Sequence, residues 1–128
     1  MTRSEIGRIG EDFVCAYLQH HGCEIAARNY RIRGGEIDII AVNEMYIIFV
    51  EVKTRKPNSL VSGYEAITKR KKELIIKTAA DYCCKHPTRL QPRFDTAQVI
   101  FDGKKVRSID YIKNAFDTTG MNFIFLKG

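Results

Sequence analysis

The sequence predicts an α/β domain in which helices flank a mixed β-sheet. Two apolar runs rich in β-branched and aromatic residues, Ile37–Val42 and Tyr46–Val52, are separated by a short polar turn, which is typical of a β-hairpin. Segments with the helical spacing of apolar residues precede this hairpin and separate it from a further strand at Phe94–Phe101. A hairpin joined by a crossing helix to another strand gives a mixed sheet with helices against it.

Two capping boxes mark where the helices are expected to begin. Thr2 and Glu5 predict the start of a first helix, which should end near Gly22. A second box at Ser62 predicts a helix that continues to about Lys85. The first helix contains Gly7 and Gly10, and each glycine destabilises a helix by up to about 1 kcal/mol relative to Ala. We therefore expect these turns to approach the sheet or a ligand closely.

The remaining strands follow from shorter signals. Cys23–Tyr30 reads as a first strand, and Asp102-Gly103 is a strong hairpin turn. The turn leads to a strand near Lys105–Ile109, and Tyr111–Phe116 is predicted as a short helix.

Length and composition limit the class of protein. The chain has 128 residues, which suits one domain over residues 1–120 with a C-terminal tail at 121–128. No apolar run approaches the roughly 20 residues of a membrane span, and the start lacks a signal peptide, so we expect a cytoplasmic protein. The cysteines show no zinc-site spacing. The net charge of +6 favours a polyanionic partner such as nucleic acid.

Charged residues interrupt the two hairpin strands at positions that should face one another. Pairing across an Asn43-Glu44 turn puts Asp38 opposite Phe49, and alternation then places Asp38, Glu51 and Lys53 on one face. One interpretation is a structural ion pair at a strand end. The other is a hydrolytic metal site, because carboxylate oxygens suit Mg²⁺ (or Mn²⁺) and an ammonium can orient water or stabilise developing charge.

The same residues carry a family resemblance. An acidic residue followed across a hairpin by Glu-x-Lys resembles the active-site signature of the restriction-endonuclease-like superfamily. The fuller pattern resembles the YraN family, small bacterial proteins related to archaeal Holliday-junction resolvases. The resemblance covers about residues 4–101 and rests on Gly7, Gly10-Glu11, Gly22, Asn29-Tyr30, Gly35-Glu36-Ile37-Asp38, Phe49-Val50-Glu51-Val52-Lys53-Thr54-Arg55 and Arg93-Phe94-Asp95.

The resemblance implies a restriction-endonuclease-like fold and a Mg²⁺-dependent nuclease acting on branched or structured DNA. Asp38 and Glu51 would then bind the metal with help from the Val52 carbonyl, and Lys53 would serve the attacking water. Glu11 matches a glutamate that superfamily members often place at the metal site; an ordinary surface glutamate is the alternative. Related resolvases act as dimers, so a homodimer is expected by analogy.

Two features leave the function open. Asp95 matches the family's Phe-Asp, and of its two interpretations we favour an edge carboxylate paired with a nearby Arg over a metal ligand. The family usually shows Lys-Gln at Lys71-Lys72, so its Gln is missing here. A nucleic-acid-binding or interaction protein with little turnover is therefore the second hypothesis. In either case the expected phosphate contacts, with solvated surface as the alternative, are Arg31, Arg33, Arg55, Lys69, Arg70 and Lys72.

Overall fold

The computed structural model describes residues 1–58 and 67–118. Its elements are, in chain order, α1 (Arg3–His20), β1 (Glu24–Ile32), β2 (Gly35–Val42), β3 (Tyr46–Arg55), α2 (Lys69–Lys85), β4 (Gln91–Phe101) and β5 (Val106–Phe116). The five strands lie side by side in that same order. Strands β1 to β3 form an antiparallel meander, β4 runs parallel to β3 after the α2 crossover, and β5 returns antiparallel. The predicted α/β class, with a mixed sheet flanked by helices, is confirmed.

The two helices cover opposite faces of the sheet. Alternate residues of β3 separate into two buried clusters, with Ile47 and Phe49 in one and Ile48 and Val50 in the other. The first cluster packs under α2 and the second under α1, which is why β3 is apolar on both faces. β3 is thus the central strand, and of its charged residues Glu51 is buried while Lys53 is exposed.

Helix α1 begins as the capping box predicts. The Thr2 hydroxyl accepts a hydrogen bond from the Glu5 amide at 3.1 Å. A Cβ on Gly10 would collide with the Thr54 side chain of β3, so this glycine lets the helix approach the sheet. A Cβ on Gly7 would meet nothing within 4 Å among the described residues. Close packing therefore explains Gly10 but not Gly7.

Helix α2 begins later than predicted. Its N-cap is Thr68, whose hydroxyl accepts from the Lys71 amide at 3.2 Å, and Ile67 is not helical. A helix continuous from Ser62 is therefore wrong, while Ser62 itself lies outside the described residues. The predicted end at Lys85 is correct.

The helix predicted at Tyr111–Phe116 is also wrong, because this segment is the second half of strand β5. The segment pairs with the edge of β4, and the pairs include Tyr111 with Ala97 and Phe116 with Phe94. A short segment takes its conformation from such an edge more than from its own propensity. The predicted tail, residues 121–128, lies outside the described residues.

The β2–β3 hairpin differs from its predicted register by two residues. The turn centres on Glu44-Met45, since the Asn43 amide donates to the Tyr46 carbonyl, and Ile40 therefore pairs with Phe49. A shift of two leaves the paired residues Ile39–Val42 and Ile47–Val50 on their predicted faces, whereas a shift of one would reverse them. Neither described helix is long and apolar enough to cross a membrane.

Candidate functional site

A change in side-chain direction at Asn29 and Asp38 creates the site. In β1, Arg28 reaches α1 through Asp12, while Tyr30, two positions on, bonds Asp81 of α2. Residues two apart normally share a face, so the alternation breaks at Asn29, whose φ of 52° lies in the left-handed region that Asn tolerates.

The same break occurs on the paired strand. Ile37 belongs to the cluster under α2 and Ile39 to the cluster under α1, so alternation along β2 fails at Asp38. The flanking pairs Tyr30–Ile37 and Arg28–Ile39 place Asn29 and Asp38 beside one another at this point. Two adjacent strands thus change phase together, and Asp38 is free to turn toward β3.

Asp38 occupies the place where β2 and β3 separate. The last pair of this ladder is Ile39–Val50, and beyond it an Asp38 carboxylate oxygen accepts the Val52 amide at 2.8 Å. Burial, and next the Glu51 carboxylate, raise the pKa of Asp38 to about 7. Its hydrogen bond from Val52 opposes this change without overcoming it. The site of Asp38 therefore favours either protonation of the carboxylate or binding of a cation.

Glu51 is the second buried carboxylate. Its side chain is 10% exposed and lies 3.3 Å from the Lys71 ammonium, measured from Oε1 to Nζ. Burial raises the pKa of Glu51, while Lys71 and then Lys53 act in the opposite direction. Lys53 is two residues from Glu51 on the same strand, so the two share the α2 face. Both line a cavity of about 30 Å³ together with Thr96, which is room for one or two water molecules.

Glu11 approaches the pair from α1. Its carboxylate accepts from the Asn29 amide group at 3.2 Å and lies 3.6 Å from Arg28. Glu11 and Glu36 both raise the pKa of Asp38, so they lie within its electrostatic field. Among the described residues, no three His, Cys, Asp or Glu side chains converge tightly enough to hold a metal by themselves. The structure therefore brings Asp38 and Glu51 together and leaves Glu11 as a more distant neighbour.

Asp95 is a buried ion-pair partner. Its carboxylate accepts from Arg93 through two nitrogens, at 3.0 and 2.9 Å, from the Tyr111 hydroxyl at 2.6 Å and from the Asn114 amide at 2.9 Å. These donors satisfy both carboxylate oxygens. The interpretation of Asp95 as an ion pair with a nearby Arg is confirmed, and the network ties β4 to β5.

The predicted phosphate-binding residues come from several elements, and they do not all reach the carboxylates. Arg31 pairs with Glu36 at 3.3 Å, and these two residues line both a cleft of about 310 Å³ on the α2 side and one of about 620 Å³ beside α1. Lys72 lies over the Phe116 ring at 5.7 Å, away from Glu51. The others lie in the β1–β2 turn, at the end of β3 and at the start of α2, and they are Arg33, Arg55, Lys69 and Arg70.

Two residues of the site were not assigned a role from the sequence. Lys71 was one of four consecutive cations, and nothing local distinguished the one that reaches Glu51. Asn29 carried a signal, since Asn within a strand is the residue that most readily tolerates a positive φ. That signal would have predicted an irregular backbone at Asn29, and its position opposite Asp38 required the register of β1.

Comparison with known proteins identifies the family. The profile described as "Uncharacterised protein family UPF0102" matches residues 10–99. The chain belongs to this family. The resemblance to the YraN family is thereby confirmed, since UPF0102 and YraN are one family.

UPF0102 relatives extend over nearly the whole chain. A UPF0102 protein of Caldicellulosiruptor bescii is 41% identical over 120 residues, covering 91% of this chain and 100% of the relative. One from Syntrophotalea carbinolica is 39% identical, with 92% and 96% covered, and one from Clostridium botulinum is 42% identical, with 88% and 94% covered.

One solved structure shows a distant likeness. It is described as the structure of Pyrococcus furiosus SfsA in complex with Ca²⁺, with a TM-score of 0.35 and 15% identity. The match covers 84% of this chain, which spans 60% of the length of that protein. At that distance the likeness assigns neither fold nor ligand.

Proposed function

We propose that this UPF0102 protein is a Mg²⁺-dependent nuclease that hydrolyses phosphodiesters in branched or structured DNA. The observation that carries the proposal is the adjacent burial of Asp38 and Glu51 at the point where β2 and β3 separate. Two neighbouring buried carboxylates repel each other unless a positive charge lies between or beside them. Such an arrangement destabilises a protein in which it has only a structural role, whereas in a cation site the bound ion neutralises the two charges.

The donor set fits Mg²⁺ (or Mn²⁺). Asp38 and Glu51 offer carboxylate oxygens, and the carbonyl of Val52 would add a third oxygen ligand from the chain between Glu51 and Lys53. Mg²⁺ takes few protein ligands and keeps several waters, so the absence of a larger cluster among the described residues does not conflict with this choice. When bound, the ion supplies charge neutralisation at the phosphate and acidifies a water.

The protein's own groups then have separate roles. Lys53 shares the face of Glu51, and its ammonium would orient the attacking water or stabilise charge that develops at the phosphate. Glu11, whose carboxylate accepts a hydrogen bond from Asn29, would assist at the metal site from the α1 side. Arg31, Arg33 and the cations at the start of α2 would neutralise phosphates further along the nucleic acid. The net charge of +6 supports a polyanionic partner in general and DNA only through the family resemblance.

A binding protein with little turnover is the second candidate, and one contact favours it. Lys71 already neutralises Glu51 at 3.3 Å, which allows the carboxylate to remain buried without a metal. Lys72 stands where a Gln is usual in the family, so one polar group of the site is replaced by a cation directed at Phe116. These features would suit a site that retains its form while its activity declines.

The decisive experiment combines metal binding with cleavage. Millimolar Mg²⁺ or Mn²⁺ should raise the melting temperature of the wild type, since ligands of the native state stabilise it. Glu51→Gln should remove most of that increase, whereas Glu44→Gln, an exposed residue of the β2–β3 turn, should leave it unchanged. An equal increase in the wild type and Glu51→Gln would place the cation elsewhere.

Cleavage is measured on four-way junctions, flaps, plain duplexes and structured RNA with each metal. The nuclease proposal predicts products from at least one branched substrate, and loss of those products in Asp38→Asn. Retained binding without any product from the panel would favour the binding protein. If the protein neither binds nor cleaves any substrate of the panel, both candidates are excluded.

A further inference from the structure

Lys71 makes the closest described cationic contact to the carboxylate pair. It is the third residue of α2, and its ammonium lies 3.3 Å from Glu51. The carboxylate side chain is 10% exposed and the lysine side chain 48% exposed. The buried partner is therefore fixed by β3, while the lysine approaches from solvent on a long flexible stem and can leave without disturbing the core.

The start of α2 is an unfavourable place for this lysine. The N-terminus of a helix carries partial positive charge, and cations in its first turn lower helix stability by roughly 0.3–1 kcal/mol each. The first turn of α2 contains no acidic residue and begins the cationic run Lys69–Lys72. Lys72 is directed to the Phe116 ring instead of Glu51, so the contact with the site is specific to one member of the run.

An open cleft lies on the other side of Lys71. It has a volume of about 310 Å³ and is lined by Lys71 together with Arg31, Gly35, Glu36 and Leu74 among others. Its two cations, Lys71 and Arg31, come from α2 and from the end of β1. Arg31 already pairs with Glu36 of the same cleft at 3.3 Å, so a phosphate bound by both cations would compete with the Glu36 carboxylate for Arg31. Lys71 thus has two acceptors within reach of its stem, a buried carboxylate and a phosphate position.

We propose that Lys71 is a positioning residue that exchanges between these two acceptors. Without a divalent cation its ammonium neutralises Glu51; when a divalent cation binds Glu51, the ammonium is released to a nucleic-acid phosphate in the cleft shared with Arg31. This inference rests on the proposed function, because it requires metal and nucleic acid to use the same site. It adds a coupling between the two ligands: each binds more tightly when the other is present.

The first test measures Mg²⁺ and Mn²⁺ affinity by calorimetry without nucleic acid. Lys71→Gln removes the competing ammonium, so metal affinity should increase about two- to fivefold, as expected for displacement of a partly exposed ion pair. Lys71→Arg keeps the competitor and should remain near the wild-type affinity. Lys77→Gln removes an equal charge from an exposed position of the same helix and controls for net charge. Equal affinities in the wild type, Lys71→Gln and Lys77→Gln would overturn the exchange.

The second test measures the salt dependence of binding to a four-way DNA junction, with and without Mg²⁺. A Lys53→Ala background keeps the DNA intact, which is checked on a denaturing gel. Each neutralised phosphate contributes about −0.9 to the slope of log affinity against log salt concentration. Lys71→Gln should flatten the slope by roughly 1 with Mg²⁺ and by less than half of that without it. The same flattening in both conditions would mean that Lys71 contacts phosphate permanently.

The outcomes distinguish this inference from the proposed function. A wild type that binds no divalent cation, or that binds it equally after Glu51→Gln, overturns the metal site and the exchange together. Metal binding that depends on Glu51 but not on Lys71 preserves the proposed function and overturns the exchange alone.

Discussion

Replacing Asp38 by Asn is expected to stabilise the metal-free protein at neutral and alkaline pH. The pKa of this carboxyl is raised to about 7 from an ordinary value of 3.8, chiefly by burial and next by the Glu51 carboxylate. The folded state therefore holds a proton that the unfolded state has released. Stability that is complete below about pH 4 is lost as the pH rises toward 7, because a buried charge then replaces a neutral acid.

The magnitude follows from the same two values. A pKa displaced from 3.8 to about 7 corresponds to about 4 kcal/mol of unfolding free energy at a pH above both. Relaxation of the site and water entry reduce this, so we expect Asp38→Asn to gain about 2–4 kcal/mol at pH 8. The amide oxygen of Asn can still accept the Val52 amide, now 2.8 Å from Asp38, so the variant removes charge without removing the hydrogen bond.

The assay is urea unfolding followed by circular dichroism at pH 5 and pH 8, with chelator or with Mg²⁺. The difference in free energy of unfolding between Asp38→Asn and the wild type should increase from pH 5 to pH 8. It should decrease when Mg²⁺ is added, because a ligand at a hundred times its Kd stabilises the wild type by about 2.7 kcal/mol. Asp12→Asn is the matched control; its side chain is 58% exposed and pairs with Arg28, so it should lose at most about 1 kcal/mol. If Asp38→Asn were less stable than the wild type at pH 8 in chelator, burial of a charged Asp38 would not destabilise the fold.

The remaining predictions concern catalysis, nucleic-acid binding and helix packing. Lys53→Ala should abolish cleavage in the substrate panel yet keep nearly all of the salt slope of DNA binding. The double variant Lys69→Ala with Lys72→Ala should instead weaken binding and flatten the slope by roughly 1 to 2. A large loss of slope in Lys53→Ala would contradict this division between catalysis and binding. Gly10→Ala should lower the free energy of unfolding by about 1–3 kcal/mol, because its Cβ would strike Thr54 of β3. Gly7→Ala should raise it by up to about 1 kcal/mol, because its Cβ meets nothing among the described residues, and equal effects in thermal unfolding would argue against the packing role of Gly10.

The fold class and the face of each β3 residue could be predicted from the sequence alone. The predicted hairpin was displaced by two residues, with Ile40 set opposite Ile47 instead of Phe49, yet Glu51 and Lys53 kept their side of the sheet. Side chains alternate with a period of two, so an error of two residues in pairing does not change a face. The hydrophobic pattern that fixes this phase is local, and a local pattern can be read from a single sequence.

The assembly of the site, in contrast, depends on contacts between distant parts of the chain. The coupled phase change of Asn29 and Asp38 requires two strands in a particular register, and the approach of Lys71 to Glu51 requires α2 to begin at Lys69 on the Glu51 side of the sheet. Tyr111–Phe116 is a strand because it pairs with the edge of β4, and that pairing is not visible in the local sequence of the segment. Each of these features depends on residues far apart in the chain, whose distances are set by packing of the whole sheet rather than by local spacing.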